Sequence, residues 1–136
     1  MEKVLVTGAT GYIALHCVQQ LLDQGYAVNG SIRSPERKNE VIEALKNSGT
    51  STENLNLFVF DLTNDEGWDD GMEGCDYLLH VASPLALENH TEDYFVKPAV
   101  AGAKRALKFA KKHGVKKVVL TSSVAAIFET GEEKVF

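Results

Sequence analysis

The stretch Val4–Ala14, VLVTGATGYIA, decides how the fold of this chain is interpreted. Three apolar residues typical of a buried strand lead directly into two glycines, and residues with helical spacing follow. In such a strand–turn–helix unit, Gly8 allows a tight turn, Gly11 lets the backbone approach a ligand, and the small Ala14 lets the helix pack on the sheet. The first N–H groups of a helix lack internal acceptors and favour an anion. The stretch therefore predicts a pyrophosphate site, although a merely tight strand-to-helix turn is the simpler alternative.

The rest of the chain alternates apolar strand-like segments with helical patterns. The predicted strands are 4–6, 26–32, 55–60, 77–81 and 115–120. The predicted helices begin at residues 13, 34, 63 and 92; they end at Gly25 and at residues 46, 72 and 113, respectively. Apolar strands separated by helices indicate a parallel sheet covered on both faces. Right-handed crossovers then predict a Rossmann-type, doubly wound α/β/α domain with strand order 3-2-1-4-5, occupying residues 1–136 as one unit.

The helix predicted over 92–113 carries an apolar stripe and a basic face. The predicted inner stripe is Val100, Ala103, Leu107 and Ala110, and the outer face carries Lys104, Lys108, Lys111 and Lys112. No acid occurs between residues 97 and 117, so a nucleic-acid surface is one interpretation of the run. A solvated helix face with cations near its C-terminus is the favoured one, because the helix dipole stabilises positive charge there.

The end of the second strand is where a dinucleotide's ribose would be recognised. An NAD site usually places an acid there, about 20 residues beyond the glycine turn. This chain reads VNGSIRSPERK over residues 28–38, with Arg33 at the strand end and Arg37 and Lys38 soon after. A guanidinium binds a phosphate through paired hydrogen bonds. The pattern therefore favours NADP over NAD, with ordinary surface cations as the alternative.

Three other strand ends supply candidate residues. Asp61 and Leu62 follow the third strand, where the carboxylate is suited either to the adenine amino group or to an ordinary loop or helix cap. HVASP, residues 80–84, follows the fourth strand with small side chains that leave room for a ligand, and His80 has no evident partner. TSS, residues 121–123, places the hydroxyls of Thr121 and Ser123 where a nicotinamide should reach.

Composition narrows the remaining classes. The 136 residues are 44% hydrophobic with a net charge of −5, which fits one globular domain and gives no support for a nucleic-acid or membrane partner. No apolar run approaches the ~20 residues of a membrane span, and no signal peptide is evident. Cys17 and Cys75 lie in unrelated contexts, which predicts two reduced thiols, no metal site and a cytoplasmic protein.

Five segments together resemble a known family. TGATGYIA at 7–14, DL at 61–62, HVASP at 80–84, KPAVAG at 97–102 and KKVVLTSS at 116–123 resemble the extended short-chain dehydrogenase/reductase (epimerase/dehydratase) family, nearest to its dihydroflavonol reductase and cinnamoyl-CoA reductase branch. The resemblance implies NADP binding and hydride transfer to a carbonyl or aldehyde substrate. It implies roles for Thr7, Gly8, Gly11, Tyr12 and Ile13 at the pyrophosphate strand end, Arg33 and Lys38 (or Arg37) at the 2′-phosphate, Asp61 and Leu62 at adenine, Val81, Ala82, Ser83 and Thr121 at the nicotinamide end, and Ser123 as the catalytic serine.

One departure from the family concerns the general acid. The family uses a Tyr-x-x-x-Lys pair beyond the serine, in which the lysine lowers the pKa of the tyrosine. The tyrosines here are at 12, 26, 77 and 94, and none has a lysine four residues on. We therefore expect the nucleotide-binding part of a longer reductase, truncated before the Tyr-x-x-x-Lys pair and the substrate domain, which alone binds NADP weakly and turns over nothing.

Two other functions fit the same residues. A sugar-nucleotide epimerase or dehydratase shares the glycine turn and the serine but usually has an acid after the second strand. A non-catalytic dinucleotide sensor would also lack the Tyr-x-x-x-Lys pair. Self-association into a homo-oligomer through apolar surface is a further expectation.

Overall fold

The computed structural model describes residues 1–82 and 92–123, with side chains from residue 96 onward in the second range. Five parallel strands form one sheet in the order β3-β2-β1-β4-β5. The strands are β1 (Lys3–Val6), β2 (Ala27–Ile32), β3 (Leu55–Val59), β4 (Tyr77–His80) and β5 (Lys117–Leu120). The predicted strand order is confirmed. From β1 the chain first adds strands on one side, β2 and β3, and then on the other, β4 and β5.

Four α-helices cover the two faces of this sheet. They are α1 (Tyr12–Asp23), α2 (Lys38–Asn47), α3 (Trp68–Met72) and α4 (Glu92–Lys112). One buried cluster joins α1 and α2 to β1 through Val4 and Val6, and the other joins α3 and α4 to the opposite face through Leu5. Alternate residues of a strand point to opposite faces, so β1 contributes to both clusters. The three-layer arrangement is confirmed.

Two helix starts differ from the sequence prediction. After β2 the chain forms a single 3₁₀ turn, Pro35–Arg37, and Ser34 makes no side-chain capping bond, so α2 begins only at Lys38. The third helix begins at Trp68 rather than residue 63. Gly67 has a φ of +87°, a left-handed conformation that interrupts helical geometry immediately before Trp68.

The predicted inner stripe of α4 is partly wrong. Val100 and Leu107 are each 47% exposed, whereas Ala106 and Phe109 are buried together with the predicted Ala110. The helix is rotated because Phe109 stacks on Trp68, with ring centroids 5.9 Å apart. Periodicity predicted a buried stripe through Val100 and Leu107, whereas the aromatic contact across to α3 buries the face that carries Ala106 and Phe109.

Two of the four lysines on the basic face of α4 are ion-paired within the protein. Lys108 contacts Asp65 at 2.9 Å, and Lys112 contacts Asp69 at 2.8 Å, both acids lying on or just before α3. These cations therefore have acidic partners across the helix pair. Among the described residues no helix is long and apolar enough to cross a membrane.

Candidate functional site

The carboxyl ends of the five strands bring the predicted site residues to one edge of the sheet. Because the strands are parallel, each strand end opens onto the same side, and the order reverses beside β1. The residues placed along this edge are Thr7 and Gly8 after β1, Arg33 after β2, Asp61 and Leu62 after β3, Val81 and Ala82 after β4, and Thr121 and Ser123 after β5. Ser83 lies outside the described residues.

Gly8 forms the tight turn that follows β1. Its φ is +69°, and a Cβ built on it would lie 3.0 Å from the Cβ of Ala82. Both the backbone conformation and the space therefore require glycine here. The turn is held from within, because the Gly11 N–H donates to the Gly8 carbonyl at 2.9 Å.

The start of α1 presents backbone donors that have no hydrogen-bond acceptor in the part of the chain that the structure describes. Gly11 is the N-cap and supplies no side-chain cap, and the first N–H to bond inside the helix is that of Leu15, to the Gly11 carbonyl at 2.8 Å. Within the described residues the amides of Tyr12, Ile13 and Ala14 have no hydrogen-bond acceptor. Three unpaired amides at the positive end of a helix favour an anion.

The cations that follow β2 are not equivalent. Arg33 and Lys38 are exposed, and neither makes an ion pair with any residue in 1–82 or 96–123. Arg37 instead forms a two-pronged ion pair with Glu40, with both nitrogen–oxygen distances at 3.0 Å. An anion binding beside Arg33 therefore finds Lys38 available, whereas Arg37 already has a partner.

Asp61 heads a turn beyond the end of β3. Its Oδ1 accepts from the Thr63 hydroxyl at 2.5 Å and from the Thr63 N–H at 2.7 Å. The Thr63 hydroxyl bond is the largest cause that lowers the pKa of Asp61, and the charges of Arg33 and Arg105 lower it further. Asp61 is thus an anion. Its Oδ1 caps the turn by accepting both Thr63 bonds, and its carboxylate lies at the site edge.

Arg105 of α4 holds this turn from the opposite side and was not predicted. Its Nη1 donates to the Leu62 carbonyl, and its Nε donates to Asp65 at 2.6 Å. The Leu62 side chain packs against Gly102, where an added Cβ would meet Leu62 Cδ2 at 2.8 Å. Arg105 lies 43 residues from Leu62, so no local sequence pattern signals this contact. The KPAVAG motif ends at Gly102 and therefore includes the glycine that packs on Leu62, but it does not include Arg105.

Where β1 and β4 end, Thr7 is buried and its hydroxyl is fully bonded within the protein. Thr7 Oγ1 contacts His80 Nδ1 at 3.0 Å and accepts from the N–H groups of Val81 and Ala82, also at 3.0 Å. The Thr121 N–H donates to the His80 carbonyl at 3.1 Å, which carries the sheet pairing past β5. Thr121 and Ser123 are exposed at this edge.

Ser31 is a supporting residue that sequence reasoning missed. It is 4% exposed on β2, its Oγ accepts from the Gly8 N–H at 2.8 Å, and its carbonyl accepts from the Ala9 N–H at 2.8 Å. The sequence signal that could have identified Ser31 is a small polar residue inside a strand that is otherwise buried.

Replacing Ser31 with alanine is expected to lower the free energy of unfolding by about 1–2 kcal/mol, because the Gly8 N–H loses its acceptor in a part-buried place. Ser48→Ala is the matched control, since the Ser48 hydroxyl bonds the Ala44 carbonyl on the surface, and it should change stability by less than about 0.5 kcal/mol. Urea denaturation measures both. Equal losses in the two variants would contradict a holding role for Ser31.

Together, a doubly wound parallel sheet, a glycine turn and unpaired amides at its switch point define a dinucleotide-binding class of protein. Residues 4–135 match the model of the NAD dependent epimerase/dehydratase family. The chain belongs to that family, so the resemblance found in the sequence is confirmed.

Relatives and solved structures agree with this assignment. The chain is 40% identical to cinnamoyl-CoA reductase 2 of Arabidopsis thaliana over 93% of its own length and 37% of the relative's. It is 38% identical to a putative anthocyanidin reductase of Ginkgo biloba, over 91% of this chain and 36% of that one. The crystal structure of yeast methylglyoxal/isovaleraldehyde reductase Gre2 complexed with NADPH matches with a TM-score of 0.82 and 34% identity, over 93% of this chain and 39% of that one. The chain thus spans less than two fifths of the length of these proteins.

Proposed function

We propose that this chain binds NADPH and forms the dinucleotide-binding part of a reductase that acts on a ketone or aldehyde. The observation that carries the proposal is Arg33 directly after β2, exposed and without an ion pair in residues 1–82 and 96–123, at the same edge as the α1 amides that lack an acceptor there. A guanidinium at this position attracts a 2′-phosphate, where a carboxylate would repel it. The NADPH-bound Gre2 neighbour supports the choice of cofactor.

The adenine half of the cofactor is assigned to the β1–β3 side of the edge. The amides of Tyr12 and Ile13 hold the pyrophosphate. The backbone of Gly8 and Gly11, whose N–H groups are already bonded to Ser31 and Gly8, lets the pyrophosphate approach closely. Arg33 with Lys38 holds the 2′-phosphate. Lys38 is preferred to Arg37 because Glu40 occupies the Arg37 guanidinium. Asp61 and Leu62 contact adenine from the turn that Arg105 supports.

The nicotinamide half is assigned to the β4–β5 side. Val81, Ala82 and Thr121 line this half, and Ser83 is proposed here from the sequence alone. When bound, the cofactor supplies a hydride. Ser123 donates a hydrogen bond to the substrate carbonyl oxygen, which favours the negative charge that develops there.

A protein comprising these residues alone is proposed to bind without turnover. None of the four tyrosines has a lysine four residues further on, so the family's general acid is missing from this sequence. Removing an acid–base group costs roughly 10²–10⁴-fold in rate. We expect no NADPH oxidation above background by the 136-residue chain with methylglyoxal or cinnamaldehyde; turnover at ordinary enzymatic rates would refute this proposal.

Calorimetric titration with NADPH and NADH tests the cofactor proposal. NADPH is expected to bind at least about 10-fold more tightly, since charge-assisted hydrogen bonds contribute roughly 1.5–3 kcal/mol. Equal affinity for the two would remove the main support for a reductase and favour the sugar-nucleotide epimerase or dehydratase alternative. A complete protein that binds NADPH yet reduces no carbonyl compound would favour the sensor alternative.

Two further expectations belong to this proposal. The outward-facing Val96, Val100 and Leu107 of α4, each 45–47% exposed, support self-association through that helix. The two free cysteines, Cys17 and Cys75, support a reducing, cytoplasmic compartment, and burial raises the pKa of the Cys75 thiol to about 11.

A further inference from the structure

The ends of β1 and β4 are joined by one buried hydroxyl group. Thr7 is 1% exposed and His80 is 5% exposed, and the Thr7 Oγ1 atom lies 3.0 Å from each of three atoms: His80 Nδ1 and the backbone nitrogens of Val81 and Ala82. Burial makes each of these bonds costly to lose, because no water replaces a missing partner.

Counting hydrogens determines the direction of every bond in this group. Backbone N–H groups can only donate, so Val81 and Ala82 occupy both acceptor sites of the Thr7 hydroxyl. The single hydroxyl hydrogen is then left for His80 Nδ1, which must accept it. A neutral imidazole whose Nδ1 accepts carries its proton on Nε2, so the contacts select one tautomer of His80.

The two amides oriented in this way belong to the segment that faces the glycine turn. A Cβ on Gly8 would meet Ala82 Cβ at 3.0 Å and Ala82 Cα at 3.2 Å, so the turn after β1 and the segment after β4 are in van der Waals contact. A shift in the Ala82 amide therefore changes the gap between the pyrophosphate turn and the residues assigned to the nicotinamide half.

We propose that His80, fixed as the Nε2–H tautomer, is a positioning residue that orients the Thr7 hydroxyl and thereby sets the spacing of Gly8 and Ala82 for the nicotinamide half of the dinucleotide. The inference rests on the proposed function for its ligand but on Thr7, His80, Val81 and Ala82 for its geometry. It assigns His80 no direct contact with the cofactor.

The surroundings of His80 agree with a neutral ring. Trp68 of α3 packs near it, with ring centroids 6.4 Å apart, Thr7 faces it from β1, and β5 contributes the Thr121 N–H bond to its carbonyl. Burial lowers the pKa of His80 from the ordinary 6.5. A protonated ring would present an N–H to an oxygen whose acceptor sites are already used.

This state has a pH signature in stability. Because the folded pKa of His80 lies below the unfolded one, the unfolded chain takes up the proton first, and stability falls as pH drops from about 6.5 through the lowered folded value. Above pH 6.5 the contribution is complete. In His80→Asn the amide oxygen takes the place of Nδ1 as an acceptor without titrating. The difference in the free energy of unfolding between about pH 7.5 and 5.5 should therefore be smaller in His80→Asn than in wild type. The other histidines are present in both proteins, so their contribution cancels in this comparison.

Nitrogen NMR of the labelled 136-residue chain tests the geometry without any ligand. At about pH 7.5 we expect His80 Nδ1 to be unprotonated and Nε2 to carry the proton. In Thr7→Val, and in His80→Leu if it folds, the amides of Val81 and Ala82 should exchange hydrogen faster, whereas Thr7→Ser should retain wild-type exchange. A proton on Nδ1, or unchanged exchange in Thr7→Val, overturns the proposal.

Binding of two probes tests the consequence. His80→Leu, or Thr7→Val in its place, is expected to weaken NADPH by about 10-fold, the effect of one unpaired buried donor. Binding of adenosine 2′,5′-bisphosphate, which lacks the nicotinamide half, should stay within about twofold, and His80→Asn should bind NADPH within about threefold of wild type. Equal weakening of both probes, or a loss in His80→Asn as large as in His80→Leu, contradicts positioning. If wild type binds neither probe, the proposed function fails, while the tautomer and amide exchange still decide the role of His80.

Discussion

Replacing Arg33 with aspartate is expected to weaken NADPH binding by about 100-fold and to leave NADH binding within about fivefold of wild type. The change removes the cation assigned to the 2′-phosphate and adds a carboxylate close to Asp61, whose pKa the charge of Arg33 now lowers. Charge-assisted hydrogen bonds of roughly 1.5–3 kcal/mol correspond to about 10–150-fold in affinity, and like-charge repulsion adds to the loss. Calorimetric titration of both dinucleotides measures the change in preference.

Matched variants separate this effect from a general loss of positive charge. Arg37→Gln removes one nearby cation that Glu40 already holds, and it should change NADPH affinity by less than about threefold. Lys38→Gln should weaken NADPH by about 5–10-fold, because Lys38 is exposed and unpaired among the described residues. If Arg37→Gln lowers the affinity as much as Arg33→Asp does, the assignment of the 2′-phosphate to Arg33 is wrong.

Replacing Trp68 with alanine is expected to lower the free energy of unfolding by about 3–5 kcal/mol. Trp68 is fully buried, stacks on Phe109, and packs on Phe60 with ring centroids 4.7 Å apart. Its Nε1 also donates to the Asp61 carbonyl at 2.8 Å, so the indole connects the core to the site edge. A loss of this size is a large part of the ~5–15 kcal/mol typical of a domain.

Trp68→Phe is the control that keeps the aromatic contacts and removes the hydrogen bond. It should cost about 1–2 kcal/mol through the unpaired carbonyl and the smaller ring. Urea denaturation followed by circular dichroism is the suitable measurement, because this is the chain's only tryptophan and its fluorescence is lost in both variants. A loss below about 1.5 kcal/mol in Trp68→Ala would contradict its role in joining α3 and α4.

The features that follow from local sequence were predictable. A buried strand, a glycine turn and a helix start lie within Val4–Ala14, so the turn and the helix start proposed to bind phosphate could be located from eleven residues. The strand order followed from the alternation of strands and helices and the handedness of crossovers. The place of Arg33 directly after β2 was predictable because it follows from the end of the predicted strand 26–32.

The features that depend on distant contacts were not predictable. The Thr7–His80 bond spans 73 residues, and the Gly8–Ser31 bond spans 23, so neither His80 nor Ser31 could be given a partner from its neighbours in sequence. The orientation of α4 failed for the same reason. The predicted stripe included Val100 and Leu107, but stacking of Phe109 on Trp68, 41 residues away in sequence, buries a different face of the helix.

The central claim is that the start of α1 and Arg33 together bind a phosphorylated dinucleotide. The most direct measurement is a titration of the nitrogen-labelled chain with NADPH, followed at the backbone amides. We predict saturable shifts centred on Gly11, Tyr12, Ile13 and Arg33, and weaker binding of NADH at the same amides. Absence of any saturable shift at these amides at millimolar NADPH, or shifts confined to another part of the chain, would contradict it.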